Sequence, residues 1–436
     1  MRHEVEGMQH ALDRRRLLML GAAAGLGAPL LPRLALAAQD RDLLPRVRAV
    51  LARWTGPGRF PGMIATLGLP GQAPEYVLSG MQSFTEDTAM RPDSLFRIYS
   101  MTKPVTGMAA MQLIADGLLG LDQPLHEILP EYANMRVQDR YDGSLDELHD
   151  APRAITIRHL LTHTAGLGYT IVQKGPIKGL MEDKGLIPGQ VSRMKVPGIF
   201  AGETVGSLDL FASRLAQVPL VADPGTKWIY SMGLDLVGRV IEVVSGLSFD
   251  RYLSKVIFAP AGMESTAFQV PREEAGRLTT NYGALGEGLV PIDKGEDSIY
   301  LDPPPFPFGG AGLVSTPADY DRFLRLLAQF GELDGRRILS ELAVRTGTRN
   351  LLPDGVAGPV TQGRPSGFGA GGRVGMGPES GMFGWSGAAG TVAMVDMAKG
   401  LRSQIFVQFM PPEASRLLPE FQSALKADVT ALLERT

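Results

Sequence analysis

The chain contains no cysteine among its 436 residues. This absence excludes disulfide bonds, thiol catalysis, zinc–thiolate sites and iron–sulfur clusters. An excess of charge is missing as well, because the net charge is −3 at pH 7 and no lysine- or arginine-rich run follows the first twenty residues. The sequence therefore gives no electrostatic reason to expect a nucleic-acid partner.

Long hydrophobic runs are also scarce. The uncharged stretch 17–32 is too short and too rich in glycine to favour a membrane-spanning helix. Arg14-Arg15 precedes this stretch and Ala35-Leu36-Ala37 follows it, a pattern that resembles a twin-arginine export signal with its cleavage site. We therefore expect residues 1–37 to be a signal peptide and the mature chain to be periplasmic or secreted, without stable insertion in a membrane. The alternatives are an uncleaved membrane anchor and an amphipathic extension.

The G-x-S-x-G elbow of the commonest esterase fold does not occur in the chain. A different serine context is present, because Ser100-Met101-Thr102-Lys103 reads S-x-x-K between the strand-like segment 94–98 and the apolar stretch 105–119. Residues three apart share one face of a helix, so the lysine amine can lie beside the serine hydroxyl. A hydroxyl is a weak nucleophile until a neighbouring base takes its proton, and a buried lysine can be that base. The plainer alternatives are a helix N-cap serine and a surface lysine.

The order of apolar patterns predicts an α+β fold. Strands are predicted at 63–69, 76–81, 94–98, 390–396 and 403–409, and helices at 40–54, 105–118, 156–163, 207–217, 232–246, 249–257, 317–330 and 414–433. Strands at both ends with helices between them imply one sheet with an inserted helical domain. We assign the sheet domain to 38–104 and 306–436 and the mainly helical domain to 105–305. The stretch 170–205, rich in glycine, proline and lysine, is predicted to be a flexible insertion.

Two further motifs follow Ser100 along the chain. Tyr230-Ser231 precedes a predicted helix, and Trp385-Ser386-Gly387 is predicted to open a strand. In their order and rough separation, the three motifs resemble those of the serine β-lactamase and penicillin-binding-protein family over most of the mature chain. The third motif is most similar to the carboxylesterase branch, often called family VIII esterases. The segments 159–167 and 309–316 are also similar. This resemblance implies a β-lactamase/transpeptidase-like fold, an antiparallel sheet flanked by helices with the site at the domain boundary.

The resemblance implies a role for each motif. Ser100 would be the nucleophile that forms an acyl-enzyme, and Lys103 would activate it or hold a proton network. Tyr230 would carry the proton to the leaving alkoxide. The backbone N–H groups of Ser100 and Ala388 would form the oxyanion hole.

The chain also departs from the family pattern at two places. Met232 stands where the family often has an asparagine that contacts the acyl side chain of β-lactams. The third motif has Trp385 where β-lactamases have the lysine of K-T-G, so it supplies an apolar wall and no charge. We therefore expect Trp385, Ser386, Gly387 and Met232 to contact a neutral substrate, and Gly387 to let the strand approach it closely.

These motifs predict a serine hydrolase that acts as a carboxylesterase on small esters, with no metal or organic cofactor. The alternatives are a β-lactamase, D,D-peptidase or D-aminopeptidase that acts on amides, an acyltransferase, or a non-catalytic binding protein of the same fold. His159 and His163 have the spacing of a zinc pair, but no H-E-x-x-H glutamate accompanies them, so we expect packing and capping roles. The segment 367–372 matches G-x-G-x-x-G without a following helix and is predicted to be a loop.

Overall fold

The computed structural model describes residues 42–194, 204–285, 288–361 and 363–434, so the predicted signal peptide lies outside the described residues. A seven-stranded sheet joins the two ends of this range, and every pair of neighbouring strands in it is antiparallel. The order of its strands is Gly367–Phe368, Arg373–Val374, Met382–Ser386, Val392–Asp396, Leu401–Phe406, Gly62–Gly68 and Glu75–Gly80. The structure thus confirms the predicted α+β fold with a sheet built from both ends.

Both faces of the sheet are covered. Successive side chains of a strand point to opposite faces, and on Gly62–Gly68 the side chain of Ile64 enters one hydrophobic core while Met63 and Ala65 enter another. The second core lies against the helices Pro45–Trp54 and Leu417–Leu433. The first core includes most of the remaining helices, so the sheet separates the paired terminal helices from the helical part of the chain.

The predicted helices are present, with ends shifted by a few residues. Among the described residues, none of the helices is both long and apolar enough to cross a membrane. The α-helices are Pro45–Trp54, Thr102–Ala115, Ile157–Leu161, Pro176–Asp183, Leu208–Leu215, Gly233–Ser245, Phe249–Leu253, Ala259–Ala261, Pro317–Ala328, Glu341–Gly347 and Leu417–Leu433. The division of the chain into domains at residues 104 and 305 stays a prediction.

Several local predictions were wrong. Trp385-Ser386-Gly387 does not open a strand, because the strand Met382–Ser386 ends there. The predicted strand 94–98 shrinks to Phe96–Arg97, which pairs with Val314–Ser315 outside the main sheet. Within 170–205 the structure has the helix Pro176–Asp183, and residues 195–203 lie outside the described residues.

Several short strands complete the fold. The sequence did not predict them, because the apolar pattern in each is too short. They are Arg136–Gln138 with Leu148–Asp150, Glu332–Leu333 with Arg336–Arg337, Val360–Thr361 with Arg364–Pro365, and Asn281–Leu285 with Gly288–Asp293 and Phe409–Met410.

A buried ion pair supports the segment that leads to Ser100. Arg97 is fully buried, and its Nε donates to Asp293 Oδ2 over 2.6 Å. The guanidinium also donates to Ser298 Oγ and to the carbonyl of Thr279. These acceptors are far from Arg97 in the sequence, so the bonds tie the segment before Ser100 to a later part of the chain. Burial of the two charges is tolerated because each has close hydrogen-bonding partners.

Removing one partner of this pair should be costly. We expect Arg97→Ala to lower the free energy of unfolding by about 3–5 kcal/mol, because Asp293 is left as an uncompensated buried charge. The matched control is Arg91→Ala, which breaks the exposed Arg91–Asp93 pair and should cost less than about 1 kcal/mol. Urea unfolding of the three proteins measures both, and equal losses in the two variants would contradict the structural role of the buried pair.

Candidate active site

Ser100 lies at a sharp change of direction between a strand and a helix. Tyr99 has φ +40°, a left-handed conformation that non-glycine residues rarely adopt, and begins a 3₁₀ turn, Tyr99–Met101. The turn continues into Thr102–Ala115, here called the Lys103 helix, in which nearly every side chain is buried. The Tyr320 hydroxyl donates to the Met101 carbonyl over 2.8 Å and so fixes the turn. This geometry brings Ser100 to the beginning of a rigid helix.

The Ser100 hydroxyl is bonded to both predicted proton-transfer groups. The Tyr230 hydroxyl donates to Ser100 Oγ over 2.7 Å, and Lys103 Nζ donates to the same atom over 3.1 Å. Ser100 and Tyr230 are 130 residues apart in the chain, yet their side chains and that of Lys103 meet at this one oxygen. The tyrosine oxygen can take the serine proton from this position once it has lost its own, which would make Ser100 a nucleophile.

Lys103 is the fully buried cation of the cluster. Besides Ser100, its Nζ donates to the carbonyl of Gly310 over 2.7 Å. The ammonium also lies 4.6 Å from the centre of the Tyr230 ring and 5.7 Å from that of Tyr169, both within cation–π range. A buried ammonium is unfavourable without such partners, so the surroundings of Lys103 are built for a charge.

Asp235 is a buried carboxylate that sequence reasoning missed. It lies in the first turn of Gly233–Ser245, here called the Asp235 helix, and its Oδ1 accepts the Gly310 N–H over 2.8 Å. Burial raises the pKa of Asp235 to about 6, although the Lys103 ammonium and the Gly310 N–H both lower it. An acidic residue in a first helical turn usually complements the helix dipole, and that ordinary interpretation hides this one from the sequence.

Aromatic rings surround Tyr230. Trp385 Nε1 donates to the Tyr230 hydroxyl over 3.4 Å, and Phe368 packs edge-on against Trp385. His163 lies 4.8 Å from Tyr230 between ring centres, and burial together with the Lys103 charge holds the pKa of His163 well below its usual value. The imidazole is therefore neutral, and the predicted packing role of His163 is confirmed. His159 has the predicted capping role, since it forms a capping box with Thr156.

The two backbone N–H groups predicted to form the oxyanion hole have no acceptor among the described residues. Neither the N–H of Ser100 nor that of Ala388 donates to another described residue. A side chain at Gly387 would place its Cβ 2.3 Å from the Ile98 carbonyl oxygen, so the turn after Met382–Ser386 lies directly against the segment that carries Ser100. Pairs of free N–H groups beside a nucleophile can bind a developing oxyanion.

An open cleft of about 650 Å³ adjoins this cluster at Tyr230. Tyr230 is the member of the cluster that lines it, and Lys227 is a charged residue among the lining. The rest of the wall is mainly apolar or aromatic: Tyr141, Val172, Trp228, Ile229, Val356 and Ala357.

The structure brings together most of the predicted site residues. Trp385 and Gly387 lie beside Tyr230 and Ser100, while Ser386 and Ala388 are exposed at the end of the strand. Met232 is the exception. Its side chain is fully buried in the larger hydrophobic core at the start of the Asp235 helix, so it does not reach the cleft.

An antiparallel sheet with flanking helices, and a serine bonded to a lysine and a tyrosine beside it, define the class of serine β-lactamases and penicillin-binding proteins. The chain belongs to the beta-lactamase family, whose family model, described as "Beta-lactamase", matches residues 47–427. The expected family and fold are thereby confirmed.

Individual relatives include hydrolases. Protein Rv1367c of Mycobacterium tuberculosis is 33% identical over 348 residues, which cover 76% of this chain and 82% of that protein. Esterase EstB of Burkholderia gladioli is 30% identical over 301 residues, 66% of this chain and 70% of that protein. The solved structure of EstCE1, described as a hydrolase with promiscuous acyltransferase activity, has a TM-score of 0.69 at 25% identity and covers 87% of this chain and 97% of that one.

The close approach at Gly387 gives a sharp test of the site. We expect Gly387→Ala to slow the reaction of Ser100 by about a hundredfold, because the new methyl group would collide with Ile98 and Thr391 and move the Ala388 N–H. The matched control is Gly179→Ala, whose Cβ meets nothing within 4 Å. Rates of ester cleavage by the two variants, with unfolding curves for both, measure the effect; an unchanged rate in folded Gly387→Ala protein would contradict it.

Proposed function

We propose that the protein is a serine hydrolase that forms an acyl-enzyme at Ser100 and cleaves small carboxylic esters. The observation that carries the proposal is the pair of hydrogen bonds at Ser100 Oγ, from Tyr230 over 2.7 Å and from Lys103 over 3.1 Å. These bonds place the Tyr230 oxygen where it can take the serine proton once it has lost its own, while the Lys103 ammonium stabilises the resulting negative charge. The family relationship supports the same class of chemistry.

The proposed acylation step moves one proton. In the reactive form Tyr230 has given up its own proton, and the adjacent Lys103 ammonium stabilises the phenolate. As Ser100 Oγ bonds to the carbonyl carbon, its proton passes to the Tyr230 oxygen, and the carbonyl oxygen becomes an oxyanion. The N–H groups of Ser100 and Ala388 would stabilise that oxyanion, each by about 3 kcal/mol. The tetrahedral adduct then expels the alkoxide, which takes the proton from Tyr230. Water repeats the sequence on the acyl-enzyme and releases the acid.

The surroundings of Tyr230 favour a neutral ester over an anionic lactam. Trp385 occupies the position of the lysine that holds the substrate carboxylate in β-lactamases. Its Nε1 donates to the Tyr230 hydroxyl, so it supplies a neutral donor where that lysine supplies a charge. Most of the cleft wall is apolar or aromatic, which also suits an uncharged acyl or alcohol group. Lys227, exposed at the cleft, is the feature that keeps an anionic substrate as an alternative.

Acyl transfer is the second candidate function. In that reaction an alcohol takes the place of water at the acyl-enzyme, and the chemistry at Ser100 is otherwise unchanged. The cleft of about 650 Å³ offers room for an acceptor beside the acyl group, and the similar protein EstCE1 is described as having promiscuous acyltransferase activity.

Two substitutions test the proton-transfer cluster. Ser100→Ala should abolish ester cleavage, and Tyr230→Phe should lower kcat by roughly 10²–10⁴-fold, the usual contribution of a positioned proton-transfer group. Tyr141→Phe is the matched control, since Tyr141 lines the same cleft but its hydroxyl accepts from Gln173 rather than contacting Ser100. Its kcat should change little. Activity retained in purified Ser100→Ala protein would exclude the mechanism.

A comparison of substrates tests the ester assignment. Wild-type protein should cleave a short-chain p-nitrophenyl ester much faster than a chromogenic cephalosporin, because the site offers Trp385 in place of the carboxylate-binding lysine. Adding an alcohol to the ester assay separates the second candidate, since a transferase yields the new ester as the main product. Faster turnover of the cephalosporin would replace the esterase proposal with a lactamase or peptidase.

A further inference from the structure

Gly310 lies between the buried ammonium of Lys103 and the buried carboxylate of Asp235. Lys103 Nζ donates to the carbonyl of Gly310 over 2.7 Å, and the N–H of the same glycine donates to Asp235 Oδ1 over 2.8 Å. Asp235 is 1% exposed, and its second oxygen, Oδ2, is buried without a hydrogen-bond partner among the described residues. Carboxylates at this depth normally have partners for both oxygens, so Asp235 is unlike an ordinary structural aspartate.

Gly310 is shaped to hold the carboxylate in this position. A Cβ on residue 310 would lie 2.6 Å from Asp235 Oδ2, so only glycine allows the carboxylate to rest against the backbone. The neighbouring Gly309 is held in turn, because Thr106 of the Lys103 helix donates to its carbonyl over 2.7 Å. The glycine pair therefore links the Lys103 helix to the Asp235 helix.

The other titratable groups nearby do not balance the ammonium in this arrangement, in which Tyr230 is a hydroxyl that donates to Ser100 Oγ. Burial raises the pKa of Tyr169 well above its usual value, with the charges of Tyr230 and Asp235 adding to the effect, so Tyr169 stays a neutral phenol. His163 is neutral as well, since burial lowers its pKa. An isolated buried ammonium is unfavourable, and a buried anion facing it relieves that cost.

We propose that Asp235 is a positioning residue whose carboxylate is the counter-charge of Lys103 and, through Gly310, keeps the ammonium against Ser100. Asp235 itself touches neither Ser100 nor the cleft in this arrangement. The inference rests on the proposed function of Ser100 and Lys103 and adds a group that none of the three motifs contains.

The proposal has a consequence for pH dependence. The pKa of Asp235 lies at about 6, so the carboxylate gains its charge as the pH rises through that value. The rate at which Ser100 reacts should therefore rise through the same range and level off above it. Below it, Asp235 is protonated and Lys103 loses its buried counter-charge.

Asp235→Asn removes the charge while keeping an oxygen that can accept the Gly310 N–H. The folded-state pKa of Asp235 is raised, so the charged carboxylate at neutral pH is less favourable in the folded protein than in the unfolded chain. Loss of the charge should therefore not unfold the protein by itself. Asp319→Asn is the matched control: Asp319 is also buried with a raised pKa and accepts the Ser265 N–H, but it belongs to the helix Pro317–Ala328 and bonds to neither Lys103 nor Gly310.

The test follows the reaction of Ser100 with an alkyl fluorophosphonate, which needs the nucleophile but no ester turnover. Fluoride release is measured from about pH 5 to pH 8, and mass spectrometry locates the label. We expect the wild-type rate to rise through about pH 6, and the same rise in Asp319→Asn. Asp235→Asn should lack the rise. At about pH 8 it should react at least about tenfold more slowly than the wild type, which is part of the rate gain that a proton-transfer group usually provides. Thermal unfolding of each variant accompanies the rates.

Each contrary outcome has one meaning. If the wild type carries no label at Ser100, the proposed function fails, and this inference fails with it. If the wild type is labelled but folded Asp235→Asn has the wild-type profile, the role of Asp235 is wrong while the function of Ser100 stands. If Asp235→Asn does not fold, the wild-type profile decides, because the absence of a rise through about pH 6 contradicts the proposal without any variant.

Discussion

Burial of the Lys103 ammonium is the constraint on which the arrangement of the site depends. A charge without access to water needs acceptors on every side, and the chain supplies them from separate segments: the Ser100 hydroxyl, the Gly310 carbonyl and the face of the Tyr230 ring. Asp235 lies one residue further out and adds the opposite charge. Because these groups come from distant parts of the sequence, placing one cation correctly fixes the relative positions of two helices and a loop.

The aromatic side chains around Tyr230 are the second feature that defines the site. Trp385 contributes an N–H donor and a large apolar surface at the end of a sheet strand, and Phe368 packs edge-on against that tryptophan. His163 stays neutral behind the phenol. The site thus has its charges on the Lys103 side of Ser100 and neutral rings on the cleft side. A substrate entering from the cleft meets mainly apolar and aromatic side chains, with Lys227 as the charged exception, before it reaches the polar centre.

The sequence predicts those parts of the site that depend on local spacing. Ser100 and Lys103 lie three residues apart at a helix start, and the pattern of the following helix already indicates burial. Asp235 could not be predicted, because its role depends on a glycine 75 residues away in the chain. Met232 was predicted to contact the substrate because of its position in a motif, but its side chain is buried in the core at the start of a helix. A local sequence pattern indicates which residues can do the chemistry, whereas the direction and burial of each side chain depend on packing.

Pairing of the strand Gly62–Gly68 with Leu401–Phe406 has a consequence for the order in which the protein is made. Synthesis runs from the N-terminus, and domains fold as their segments emerge. Ser100 and Lys103 appear first, yet the turn that carries Gly387 and Ala388 emerges only after the whole helical part of the chain. A nascent or prematurely terminated polypeptide therefore has the nucleophile without its second oxyanion donor. On the proposed roles, such a fragment is silent, and activity begins only when the sheet closes.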